Sequence, residues 1–66
     1  MAFKISLAAA RVNAGMTQKD AAEKLRVNRC TVNAWETGKT KPGPLVMMAL
    51  SKIYDIPMDF LRVPEK

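Results

Sequence analysis

At 66 residues the chain has room for one compact domain around one small core, and a second domain is excluded. Its one cysteine, Cys30, cannot close an internal disulfide, and without histidine the usual partners of a zinc site are missing. Eleven Lys and Arg against six Asp and Glu give a net charge of +5, which favours a polyanionic partner, nucleic acid or an anionic membrane, though it is also ordinary for a soluble domain.

No apolar run approaches the roughly 20 residues needed to span a bilayer, and the start lacks the apolar stretch of a secretory signal. The expected location is therefore the cytoplasm, with no membrane partner. The few acids are scattered, so no nucleophile with a base and no metal cluster is visible. We expect no catalytic site, no metal, no cofactor and no small-molecule substrate.

Periodicity and punctuation predict an all-α fold of five short helices and no strands. The first, residues 3–14, carries Phe3, Leu7, Ala10 and Ala14 on one stripe and stops at Gly15. Thr17 is the N-cap of a second helix, 17–25, whose inner face is Ala21, Ala22 and Leu25. After a turn of about three residues, Asn28 offers the next N-cap, opening a third helix, 28–36, that Thr37-Gly38 breaks. Pro44 suits the first position of a fourth, 44–54, with Met47, Leu50, Ile53 and Tyr54 as its stripe. A last helical turn, 57–61, is expected to return Met58 and Leu61 to the core.

Two short helices joined by so tight a turn, with small residues on the first, meet the needs of a helix-turn-helix. Ala21 and Ala22 permit a close crossing, and Val27, Val32 and Trp35 are expected to fill the wedge. A plain helical hairpin in a bundle fits the same spacing. At 100° per residue the third helix puts Asn28, Val32 and Trp35 on one side and Arg29, Cys30, Asn33, Ala34 and Thr37 on the other.

That outward face suits a major groove. Arg pairs with guanine, Asn with adenine, and a small apolar side chain meets a thymine methyl, so Arg29, Cys30, Asn33 and Ala34 are the candidate base readers. Phosphate contacts have natural sources in the free N–H groups opening the second helix, with Thr17 and Gln18, and in Lys39 and Lys41 beyond the third. Asn28, Thr31 and Thr37 complete the candidate phosphate set.

From about Leu7 to Leu61 the chain resembles the Cro/CI (XRE-like, lambda-repressor-like) family of helix-turn-helix domains. The resemblance rests on Arg11 before Gly15, Thr17-Gln18, Ala22, Val27, the run from Asn28 to Glu36, Gly38-Lys39 and Pro42. Each feature alone is weak, and their joint spacing is strong. It implies a five-helix DNA-binding domain whose second and third helices read the duplex, with Gln18 on phosphate and the outer face of the third helix on bases.

The resemblance further implies a structural salt bridge between Arg11 and Glu36. It also implies a homodimer on a palindromic double-stranded operator, with Met58, Phe60 and Val63 as candidate dimer residues. The expected function is then a transcriptional regulator of bacterial or phage origin, a repressor. The alternative is a protein-interaction module, an antirepressor or antitoxin, on the same scaffold. Such a chain is either a complete minimal regulator or the N-terminal part of a longer one. Two positions depart from the family pattern: Arg26 stands where glycine is usual in the turn, and Ala21 where a larger aliphatic is.

Overall fold

The structure, a computed structural model, describes residues 4–64. Phe3, the first member of the predicted stripe, lies outside the described residues. Among those described, the chain forms α1 Leu7–Asn13, α2 Gln18–Leu25, α3 Arg29–Thr37 and α4 Pro44–Tyr54, then a 3₁₀ turn, Met58–Phe60. Two short strands, β1 Ile5–Ser6 and β2 Leu61–Arg62, pair in parallel, Ile5 opposite Leu61 and Ser6 opposite Arg62.

The expectation of five α-helices and no strands is thus corrected at both ends, while the helical class holds. Residues 5–6 are extended because Ser6 is the N-cap of α1: its Oγ accepts the Ala9 N–H at 3.1 Å. The last predicted helix shrinks to the 3₁₀ turn because the chain becomes extended at Leu61 (φ −88°, ψ 130°), where β1 offers its backbone groups. Alternation along β2 then buries Leu61 and exposes Arg62. Met58 lies on the outer side of the turn, 41% exposed, and not in the core as expected.

The helix ends follow local rules. Past α1, Gly15 takes a left-handed φ of 74°, the Gly15 N–H meets the Val12 carbonyl, and Met16 closes the cap on the Arg11 carbonyl at 3.1 Å. The same pattern ends α2, where Val27 N–H donates to Ala22 O at 3.0 Å, and α4, where Ile56 N–H donates to Ser51 O at 3.1 Å. There, however, the left-handed residues are Arg26 and Asp55. Gly38 ends α3 in the same region, buried beneath Pro64, where an added Cβ would come within 3.2 Å of the proline ring.

Leu7, Ala10, Ala21, Ala22, Val32, Trp35, Leu50, Tyr54 and Leu61 make the core. Val27 is corrected to the rim of the α2–α3 wedge at 36% exposure, because the cap that uses its N–H leaves its side chain at the surface. α4 packs on α2, and Met47, an adaptable side chain, lies partly buried against the core.

Candidate nucleic-acid interface

The site is assembled by the close crossing of α2 and α3, which two buried alanines on α2 permit. At the start of α2 a capping box is complete. The Thr17 Oγ1 accepts the Asp20 N–H and Asp20 Oδ2 accepts the Thr17 N–H, both at 3.0 Å. These bonds, the backbone one first, hold the Asp20 carboxyl below its ordinary range. The N–H groups of Gln18 and Lys19, in the first turn, precede the first intrahelical bond and face outward at the positive end of the helix.

On α3, Val32 and Trp35 are buried in the core, while Arg29, Cys30, Asn33 and Thr37 are exposed and Thr31 and Ala34 are half-buried. Asn28 occupies the N-cap position in extended conformation, but its side chain makes no capping bond and stands exposed. The Thr37 hydroxyl turns back, donating to the Asn33 carbonyl at 3.0 Å, so its single hydrogen is committed within the helix. Lys39 and Lys41 follow in an exposed loop. The exposed face of α3 carries no free carboxylate, since its one acid, Glu36, is paired.

That pair ties the site to α1. Arg11 Nε donates to Glu36 Oε2 at 2.7 Å and Nη2 reaches Oε1 at 3.4 Å, while Nη1 donates to the Met16 carbonyl at 2.9 Å. The two side chains are only 15% and 6% exposed. Tyr54 packs nearby in the core, its pKa pushed up to about 12 by burial and then by the Glu36 carboxylate, with Arg11 opposing. Gln18 joins the pair from α2: its Nε2 donates to Glu36 Oε1 at 2.9 Å and to Asn33 Oδ1 at 3.2 Å. Sequence reasoning missed this link, because nothing local connects residues 15 and 18 positions apart.

A helix-turn-helix family model matches residues 7–61, from the first turn of α1 to β2. The chain belongs to the XRE-like helix-turn-helix family. Among curated relatives of this helix-turn-helix chain is the HTH-type transcriptional activator BcrR of Enterococcus faecalis, 33% identical over 66 residues, all of this chain and 32% of that protein. Another is the HTH-type transcriptional regulator ImmR of Bacillus subtilis (strain 168), 36% identical over 52 residues, 79% of this chain and 41% of that protein. The helix-turn-helix chain therefore spans only about a third of one relative's length and about two-fifths of the other's. No solved structure matches it. No helix among the described residues is long and apolar enough to cross a membrane.

Proposed function

We propose that this chain is the DNA-reading part of a transcriptional regulator, with α3 in the major groove of double-stranded DNA. The carrying observation is the exposed, polar face of α3 without a free carboxylate, tied to α1 by the Arg11–Glu36 pair and to the α2 N-terminus by Gln18. Arg29, Cys30, Asn33 and Ala34 are the proposed base contacts. Phosphate contacts fall to Thr17, Asn28, Thr31, Lys39, Lys41 and the N–H of Gln18. The Gln18 side-chain hydrogens are spent inside the protein, and Thr37 joins only by turning its hydroxyl out.

Both relatives bear regulator names, one of them an activator. For this chain we propose repression, since occupying a promoter needs no surface beyond the one described. We also propose that two copies bind a palindrome with half-sites about 34 Å apart. Leu45, Met48, Met58 and Phe60 are exposed apolar side chains, Leu45 at 81%, and Leu45, Met48 and Met58 line one groove between α4 and the 3₁₀ turn. With Val63 they form the proposed dimer face.

Selection of bound sites from random duplexes tests the reading. A palindromic consensus bound with steep salt dependence is expected. Binding that ignores sequence, or a stable complex with a protein that is indifferent to DNA, would replace it with the interaction-module reading.

A further inference from the structure

Four side chains from three helices form a directed hydrogen-bond chain that ends on the reading face. Its polarity is dictated at one end. An ionised carboxylate only accepts, and Glu36 Oε1 and Oε2 both face donors. Gln18 must therefore turn its NH₂ toward Glu36, and once one hydrogen is given to Oε1 the other remains for Asn33. A donor pointed at an amide selects its oxygen, so Asn33 faces Gln18 with Oδ1. Among the described residues the Asn33 Nδ2 donates to no protein group, and Asn33 is exposed.

We propose that the Arg11–Glu36 pair, acting through Gln18 as a positioning residue, presets Asn33 as a hydrogen-bond donor toward the groove. This rests on the DNA-reading function above and adds to it a base preference. Major-groove acceptors are purine N7, guanine O6 and thymine O4, whereas cytosine shows only its N4 donor. An asparagine free to flip serves either kind of edge. One held by Gln18 discriminates against cytosine at the base it touches. The Gln18 side chain thus acts on sequence preference without itself touching DNA, unlike a phosphate contact, whose loss lowers all affinities alike.

Gln18 is the only glutamine of the chain, so its side-chain NH₂ pair is a single assignable signal in a nitrogen-edited NMR spectrum. In the free protein, Asn33→Ala is expected to move one of the two Gln18 NH₂ protons upfield and leave the other, bonded to Glu36, in place. An unchanged pair overturns the proposal before any DNA is added.

On DNA, binding of the wild-type consensus and its three single-base variants at the Asn33-dependent position is compared for wild type, Gln18→Met, Asn33→Ala and the double variant. Wild type should disfavour cytosine there by about tenfold. Gln18→Met should bring that ratio to within about threefold without altering preference elsewhere, and in the Asn33→Ala background it should change nothing further. Asn33→Asp, which can only accept, should invert the preference toward cytosine. A Gln18→Met variant that keeps the discrimination, or loses affinity equally for all sites, overturns the proposal. Failure of the wild type to select any consensus sinks the DNA-reading function instead.

Discussion

Arg26 closes α2 at φ 58° and ψ 44°, where its Cβ crowds the following carbonyl. The cap needs a left-handed residue at this place because the Val27 N–H must swing back to the Ala22 carbonyl. The strain costs an L side chain about 1–2 kcal/mol, and glycine would remove it while adding about 0.5–1 kcal/mol of unfolded-state entropy. Arg26→Gly is therefore expected to raise Tm by about 5 °C, and a lower Tm in a thermal melt would contradict this account. Tyr54 makes a second prediction. Burial pushes its hydroxyl up to about 12, above the ordinary tyrosine value near 10, so as pH rises through that interval the unfolded state loses the proton first and stability falls. Denaturant midpoints measured across that interval should decline more steeply for wild type than for Tyr54→Phe.

The tie between α1 and the end of α3 is an element-scale feature, since Arg11 and Glu36 stand 25 residues apart and neither helix alone holds the other's angle. Removing one partner leaves the other charge half-desolvated. Glu36→Ala is expected to cost about 3 kcal/mol, near the low end for a buried pair because Arg11 keeps some solvent contact. In a domain of this size that lowers Tm by roughly 10–20 °C, and duplex affinity should fall with it because α3 loses its orientation. A variant that melts like wild type would show that packing of Val32 and Trp35 alone sets the angle. The exposed ends behave differently. Lys41→Ala, in the loop after α3, should leave Tm alone, weaken all duplexes about equally and reduce the slope of log affinity against log salt by about 1.

For the whole molecule, a net charge of +5 and a small buried core set the terms. On the proposed function, the charge draws the chain to DNA without choosing a site, and an α3 this short would read few base pairs. A second copy would double the reading surface, and the groove formed by Leu45, Met48 and Met58 is apolar enough to hold one. Met48→Lys should leave the fold intact, because Met48 is exposed, yet shift sedimentation toward monomer and abolish cooperative occupation of paired half-sites. Unchanged sedimentation of a wild-type dimer would move the interface elsewhere.

What the sequence by itself determined about this protein is whatever local chemistry settles. The α2 and α4 starts were legible because Thr17 and Pro44 act on the next turn alone, and the stops at Gly15 and Gly38 because each supplies a left-handed residue where one is needed. The buried and exposed sides of α3 followed from helical period. Tertiary structure alone decided what joins distant segments. It paired Ile5–Ser6 with Leu61–Arg62 across the whole helical array, turning two expected helix ends into strands. It placed Val27 and Met58 outside the core and carried the hydrogen bonds of Glu36 through Gln18 to Asn33. Such contacts carry no signature in periodicity or capping, because they arise only where packing of the core brings separate helices within hydrogen-bond reach.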